Sequence, residues 1–192
     1  MMNLKNHYFI LRHGQTTWPH TEICYPSDNK ESVTLSEDGI SQIKLVAESL
    51  KKENISLIFC SEYLRVRLTA EIVASALGLK PVIDARLNDT ELGDYYGKPK
   101  ASFYQEFPDP AKRFETKSPM GGESWDEVKV RQISFLKETE QKYDGQNILV
   151  VGHGDSLWLL EGLIRQMTNK ELLEAIFEKK EFIKKGELRK IN

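Results

Sequence analysis

The segments Tyr8-Phe9-Ile10-Leu11-Arg12-His13-Gly14 and Ile148-Leu149-Val150-Val151-Gly152-His153-Gly154 decide the fold predicted for this chain. Each is an apolar run typical of a buried strand, and each ends in a His-Gly step. In a parallel α/β sheet, side chains at the carboxyl ends of the strands face the crevice where ligands bind. We therefore expect His13 and His153 to meet across one pocket.

Strand and helix patterns alternate along the rest of the chain. Strands are predicted at 8–11, 57–60, 81–83 and 148–151, with 81–83 at an edge of the sheet. Helices are predicted after the capping residues Ser36, Ser61, Ser124 and Thr168, and directly after His153. The tail near 185–186 is either a last hairpin or a frayed end. The alternation predicts a three-layer α/β/α fold with a mainly parallel sheet.

The helix predicted after Ser61 carries four apolar residues at a spacing of four: Leu64, Leu68, Ile72 and Ala76. Gly78 is expected to end this helix because glycine readily adopts the left-handed conformation.

Composition excludes several classes of protein. The chain has 192 residues, a formal net charge of −2 and 29% charged residues. No strong positive field exists to attract nucleic acid or an acidic membrane, so a small-molecule partner is the better expectation. The first residues do not resemble a signal peptide, which predicts a cytoplasmic protein. We expect a monomer or a homodimer. One domain is expected over 1–192, with the Pro-, Gly- and charge-rich segment 99–124 as a cap or substrate loop.

The cysteines and histidines do not follow metal-ligand spacing. Cys24 and Cys60 are the only cysteines, and both are expected to be free thiols. No His-x-x-x-His step or cysteine pair is present. We therefore expect neither a metal nor a cofactor.

The stretch 12–16, Arg-His-Gly-Gln-Thr, combines residue types that suit phosphate. Arginine presents a rigid fork of donors that matches phosphate oxygens, and glycine lets the backbone approach a ligand closely. A neutral imidazole is a nucleophile, and the reference pKa of ~6.5 makes that form of His13 available near neutral pH. Arg65 lies one turn into the helix after the second strand, at the same edge of the sheet, whereas Arg67 is expected to point away into solvent.

At these residues the chain resembles the histidine phosphatase superfamily, which includes the phosphoglycerate mutases. The resemblance covers nearly the whole chain in five ordered blocks: Arg12-His13-Gly14 with Thr16 and Trp18, the helix start 35–42, the segment 61–70 with Arg65, Thr69 and Ala70, Gly121-Gly122-Glu123-Ser124, and Gly152-His153-Gly154. One Arg-His-Gly step is weak evidence, but five blocks in order are specific. The resemblance implies a phosphoglycerate mutase-like three-layer fold.

The resemblance also implies a role for individual residues. His13 is the expected nucleophile that becomes phosphorylated, with Arg12, Arg65 and His153 around the transferred group. We expect Thr16 and Gly154 to assist in phosphate binding, and a protonated His153 to add positive charge. The segment 87–97 aligns Asp89 with the family's general acid; Glu91, two residues on, is the alternative because it would share a face with Asp89 in an extended segment.

Two positions depart from the family pattern. Pro19 stands where an asparagine commonly contributes to the phosphate pocket, so Trp18-Pro19-His20 is read as a rigid pocket wall. Trp158 stands where the mutases commonly carry arginine, and either packs in the helix or contacts substrate.

The expected activity is metal-independent hydrolysis of phosphate monoesters through a phosphohistidine. A phosphoglycerate mutase is the first alternative, although Lys112-Arg113 is the only basic doublet in the cap that could hold a second acidic group. A catalytically weak homologue that binds phosphorylated ligands is the other.

Overall fold

The computed structural model of the protein describes residues 3–192. Five strands form one sheet in the order β3-β2-β4-β1-β5: β1 (His7–Arg12), β2 (Leu57–Cys60), β3 (Pro81–Ile83), β4 (Asn147–Gly152) and β5 (Leu188–Lys190). The first four pair in parallel, and β5 pairs antiparallel to β1. The sheet is therefore mostly parallel, and β3 lies at an edge, as the sequence predicted.

Seven helices accompany the sheet: α1 (Asn29–Ser32), α2 (Glu37–Leu50), α3 (Leu64–Leu77), α4 (Lys100–Glu106), α5 (Trp125–Lys142), α6 (Gly154–Arg165) and α7 (Asn169–Phe177). Three 3-10 turns lie at Ala85–Leu87, Gly93–Tyr95 and Pro110–Phe114. The segment 99–124 thus contains α4 and one of these turns.

Side-chain alternation along β1 shows how the layers form. Phe9 and Leu11 pack with α2 and α3 on one face of the sheet, while Tyr8 and Ile10 pack with α5 and α6 on the other. All four side chains are buried, because a central parallel strand is covered on both faces. The predicted three-layer α/β/α fold is confirmed.

Most of the predicted helix starts are confirmed. Ser36 accepts a hydrogen bond from the backbone of Gly39, and Ser124 and Thr168 each form a capping box. These side chains satisfy amide groups that have no partner inside the helix.

The predicted start of α3 is wrong. Tyr63, not Ser61, precedes the first helical residue, and the Ser61 hydroxyl instead contacts a histidine ring. The four apolar residues at a spacing of four are half-buried, and Ile72 and Ala76 pack against the core. The fully buried face carries Arg65, Val66, Thr69, Ala70 and Val73, so an arginine and a threonine lie on the inner side of this helix.

The end of the described chain forms neither a hairpin nor a frayed tail. Instead β5 adds to the outer edge of β1, so the first and last strands of the sheet are neighbours. Gly186 precedes β5 with a φ of +71°, and its N–H donates to the carbonyls of Arg12 and His13 at 3.1 and 3.0 Å. A left-handed φ favours glycine at this turn. The C-terminal segment therefore lies against the end of β1 that carries the candidate site.

Cys24 and Cys60 are free and buried, as predicted. Burial raises the pKa of the Cys60 thiol to about 12, so this side chain is a small core residue rather than a thiolate. Within residues 3–192, none of the helices combines the length and the apolar character needed to cross a membrane.

Candidate active site

The two His-Gly steps meet at the carboxyl ends of neighbouring strands. Arg12 pairs in register with Gly152 across the parallel β1–β4 ladder, which places His13 and His153 side by side. Their ring centroids are 5.7 Å apart in an edge-on arrangement, and both side chains are buried. The arrangement predicted from the two strand ends is therefore present.

One hydrogen bond fixes the tautomer of His13. Its Nδ1 lies 2.8 Å from the carbonyl oxygen of Gly14, which can only accept, so Nδ1 carries the proton. The lone pair then resides on Nε2. Burial lowers the pKa of His13 well below its usual range, and the positive charges of Arg65 and Arg12 lower it further. His13 is thus a neutral imidazole with a nucleophilic Nε2.

His153 lies between a hydroxyl and a guanidinium. Its Nε2 is 2.8 Å from the Ser61 hydroxyl, and its Nδ1 is 3.2 Å from Nη2 of Arg65. Because arginine can only donate, Nδ1 accepts and Nε2 carries the proton. Burial and then Arg65 lower the pKa of His153 well below its usual range. The expected imidazolium is therefore disfavoured by these surroundings, whereas a phosphate dianion beside the ring would favour it.

Arg65 is fully buried and is held by residues that the sequence did not single out. Its Nη1 donates to the backbone carbonyl and to Oδ1 of Asn29, at 3.1 and 3.0 Å. The rings of Tyr25 and Tyr63 flank the guanidinium at 4.5 and 4.7 Å from its central carbon. These contacts compensate for the cost of burying a cation. The sequence correctly predicted that Arg65, and not Arg67, faces the two histidines. Arg67 lies nearer the surface and pairs with Glu31.

Arg12 is fixed by the C-terminal segment. Its Nη1 donates to the carbonyl of Ile183 at 2.8 Å, and its guanidinium lies 5.5 Å from the ring centroid of Phe182. The Nε groups of Arg12 and Arg65 are both buried and have no hydrogen-bond partner within residues 3–192. Buried donors without a partner are rare, and at an arginine pair they suit an anion that accepts from both.

Asp89 lies beside His153 and Arg65. Its Oδ2 is 3.4 Å from Nδ1 of His153 and 3.7 Å from Nη2 of Arg65. Burial raises the pKa of Asp89 to about 6, against the opposing pull of Arg65. About 28% of the side chain still reaches solvent through the pocket mouth. A carboxyl group with such a pKa can both hold and release a proton near neutral pH.

Glu91, the alternative acid, is oriented differently. Its carboxylate accepts from the Tyr96 hydroxyl at 2.6 Å and from the Tyr63 hydroxyl at 3.3 Å. It therefore supports a tyrosine that flanks Arg65, and it does not line the pocket that contains Asp89.

The Gly-Gly-Glu-Ser block fixes the loop that carries both acids. Glu123 accepts from the backbone N–H of Glu91 at 3.1 Å and from Nε of Arg131 at 3.0 Å. Arg131 in turn donates to the carbonyl of Asp89 at 3.0 Å. Glu123 is thus a structural partner of the loop rather than a group in the pocket.

A cavity of about 370 Å³ opens at Arg12 and Asp89. Its lining includes Arg12, Asp89 and Gly154, with Trp18, His20 and Tyr104 on the walls and Lys100 and Lys185 among its charged groups. Trp18 and His20 pack edge-on at 4.9 Å and form part of the expected wall, whereas Pro19 does not line it. A larger cavity of about 910 Å³ borders the other side of the C-terminal segment and shares Lys185 with the first, but Arg12, Asp89 and Gly154 do not line it.

Of the two residues expected to assist in phosphate binding, Gly154 lines this cavity, whereas Thr16 contacts one of its lining residues, Lys185. Gly154 is the first residue of α6, and a Cβ atom there would come within 2.8 Å of the Phe182 ring. Glycine therefore allows the C-terminal segment to approach the helix N-terminus, where the backbone favours anions. The Thr16 hydroxyl lies 3.4 Å from Nζ of Lys185.

Trp158 and Arg113, which the sequence offered as candidates for substrate contact, take part in packing. Trp158 is buried against Trp125, and its indole N–H donates to the carbonyl of Leu172 at 3.3 Å. Arg113 stacks 3.9 Å above the Trp125 ring and donates to Asp155 at 3.0 Å. One residue of the Lys112-Arg113 doublet, Arg113, is thus already engaged in an internal ion pair.

Comparison with known proteins identifies the family to which the chain belongs. The family model of the histidine phosphatase superfamily, branch 1, matches residues 8–179. The chain belongs to the histidine phosphatase superfamily. The "Probable phosphoglycerate mutase GpmB" of Photorhabdus laumondii is 31% identical over 160 residues, which are 81% of this chain and 73% of that protein. "Phosphoglycerate mutase-like protein 4" of Arabidopsis thaliana is 32% identical over 76% of this chain and 65% of its own length.

Solved structures of this superfamily share the fold. A mycobacterial glucosyl-3-phosphoglycerate phosphatase in complex with VO3 superposes with a TM-score of 0.75 at 26% identity. The match covers 95% of this chain and 88% of that protein. Histidine phosphatases named as mutases and as phosphatases thus both resemble this chain.

Proposed function

We propose that this histidine phosphatase hydrolyses phosphate monoesters through a phosphohistidine formed on His13, without a metal ion. One observation carries the proposal: the Gly14 carbonyl holds the proton on Nδ1 of His13, which leaves Nε2 free to attack. The unpartnered Nε groups of Arg12 and Arg65 supply donors for phosphate oxygens.

In the first step, Nε2 of His13 forms a bond to phosphorus as the ester P–O bond breaks. Asp89 gives its proton to the departing oxygen, which leaves as an alcohol. Arg12 and Arg65 stabilise the charge on the three equatorial oxygens, and the N-terminus of α6 at Gly154 adds its dipole. His153 and Thr16 complete the surroundings of the phosphoryl group.

In the second step, water attacks phosphorus and the P–N bond breaks, which regenerates neutral His13. Asp89, now a carboxylate, takes the proton from this water. Its pKa of about 6 suits both tasks, since the group can exist in either form near neutral pH. We place the segment 99–124 as the cap over this site, because Lys100 and Tyr104 line the same cavity.

Replacement of His13 tests the mechanism. The His13→Ala variant should lose turnover of p-nitrophenyl phosphate and the acid-labile, base-stable phosphoenzyme that the wild type forms. His7→Ala is the matched control, since His7 is exposed and begins β1 at the end opposite Arg12. A His13→Ala variant that keeps more than a small fraction of activity would refute the proposal.

A phosphoglycerate mutase is the second candidate, because relatives at 31% and 32% identity carry that name. The internal ion pair of Arg113 with Asp155 argues against it, since a mutase must hold a second acidic group. Incubation with 3-phosphoglycerate, with and without a bisphosphoglycerate primer, separates the two activities. Release of inorganic phosphate supports hydrolysis, and primer-dependent isomerisation supports the mutase. Binding of phosphate without either product would indicate a ligand-binding homologue.

A further inference from the structure

The two lysines that line the cavity have different surroundings. The ammonium group of Lys100 donates to the carbonyl of Thr21. Within the described residues, the ammonium group of Lys185 has one hydrogen-bond partner, the Thr16 hydroxyl, at a long 3.4 Å. None of the carboxylates in residues 3–192 lies within ion-pair distance of Lys185. Because an ammonium has three hydrogens, Lys185 keeps at least two of them for another acceptor.

The backbone of Lys185 is held in place against the catalytic strand. Its carbonyl accepts from Nε2 of Gln42 at 2.7 Å. The following residue, Gly186, donates to the carbonyls of Arg12 and His13. Gly186 is buried, and a Cβ atom added there would come within 2.2 Å of the Gln42 side chain. The side chain of Lys185 therefore extends from a fixed position beside the nucleophile, rather than from a free tail.

The charge of Lys185 acts on the same site as the two arginines. Burial lowers the pKa of His13 most, and Arg65, Arg12 and Lys185 each add to the effect. The carboxylates that line the cavity are Asp89 and Asp155, and Asp155 already pairs with Arg113. The cations Arg12, Arg65, Lys100 and Lys185 thus outnumber the carboxylates at this site, a surplus that a phosphate dianion would balance.

We propose that Lys185 is a third phosphate-binding cation of this site, donating from Nζ to a nonbridging oxygen of the phosphoryl group. The inference rests on the proposed function but concerns a residue outside the five sequence blocks. Lys185 binds the dianion before reaction, and it keeps the same contact to the phosphoryl group on His13. The C-terminal segment then completes the site in addition to fixing Arg12.

The test measures binding of inorganic phosphate by calorimetry in the His13→Ala background, where no turnover is required. A lysine–phosphate contact is a charge-assisted hydrogen bond, so Lys185→Met should weaken phosphate binding about tenfold or more. Lys185→Arg should restore most of the affinity because it keeps the charge. Lys184→Met is the matched control, since Lys184 is adjacent, exposed and does not line this cavity.

Each outcome decides the assignment. Unchanged phosphate affinity in both Lys185→Met and Lys185→Gln would overturn it, and so would an equal loss in Lys184→Met, which would indicate only a general effect of surface charge. A selective loss that Lys185→Arg restores supports it. Because the readout is binding, the result is separate from the mechanism: if the wild type forms no phosphoenzyme, a selective loss still assigns Lys185 to a phosphate site.

Discussion

Oδ2 of Asp89 lies 3.4 Å from Nδ1 of His153. This nitrogen carries a lone pair, because Arg65 donates to it. A protonated Asp89 competes with Arg65 for that single lone pair, and loss of the proton leaves a carboxylate between an imidazole and a guanidinium. The proton on the proposed acid is thus coupled to its charged neighbours, and we expect its pKa to change when an anion binds.

Substitution of the two candidate acids separates their roles. Asp89→Asn should slow hydrolysis of alkyl phosphates far more than that of p-nitrophenyl phosphate, because an alkoxide needs a proton and p-nitrophenolate departs with little protonation. Glu91→Gln should have a small effect on both substrates, since Glu91 is bonded to Tyr63 and Tyr96. Measured kcat/KM values for both esters check this. A leaving-group-dependent loss in Glu91→Gln alone would exchange the two assignments.

The pH dependence should reflect the raised pKa of Asp89. The acid must be protonated for the first step, so hydrolysis of an alkyl phosphate should decline as the pH rises above about 6. The pKa of His13 is lowered, so His13 is already in its neutral form at this pH and should not contribute the decline. Profiles of kcat/KM between pH 4.5 and 8.5 test this assignment. If Asp89→Asn kept the same basic limb, the limb would have another source.

Asp89 should also destabilise the free protein at neutral pH. Its pKa in the fold is about 6, above the value of 3.8 usual for an aspartate, so the fold favours the protonated form. Stability then falls as the pH rises from about 4 to 6, and the full cost, on the order of 1–3 kcal/mol, is present above that window. Asp89→Asn should therefore raise the Tm at pH 7.5 by a few degrees and leave it nearly unchanged at pH 4. Thermal unfolding at both pH values is the measurement, and an equal shift at both would contradict the pKa.

Arg65 and Arg67 provide a matched pair of substitutions. Arg65→Ala should lower kcat/KM at least about tenfold, because it removes charge-assisted contacts to the phosphoryl group. Arg67→Ala should remain close to the wild type, since it loses only an ion pair with Glu31 near the surface. Arg65→Lys should also be impaired, because an ammonium cannot reproduce the planar donors that reach Asn29 and His153 together. A larger loss in Arg67→Ala than in Arg65→Ala would mean that Arg65 is not the arginine of this helix that contacts phosphate.

The sequence predicted those parts of the site that lie directly after a strand, namely His13 and His153. The apolar runs before His13 and His153 indicated buried parallel strands, and the carboxyl ends of such strands share one edge. The contacts around Arg65 were not predictable in this way. Tyr25 and Asn29 lie in a segment without strand or helix periodicity, so no pattern indicated that they would face the guanidinium.

Ser61 and the C-terminal segment were missed for two other reasons. The position of Ser61 before a helix suggested a cap, but the helix begins three residues later and the hydroxyl contacts His153 instead. The pairing of β5 with β1 joins residues such as Phe9 and Lys190, which are distant in sequence. No local signal specifies such a pairing, because a short three-residue strand acquires its partner only in the folded sheet.

The antiparallel pairing of β5 with β1 also affects when the protein can become active during its own synthesis. Strand β1 leaves the ribosome well before the carbonyl that holds Arg12, because that carbonyl belongs to Ile183. A nascent chain can form early helices and strands as they emerge, at about 5–20 residues per second. The phosphate site, however, must wait until residues 183–190 are free to reach β1, so partly synthesised chains should not bind or turn over phosphorylated metabolites.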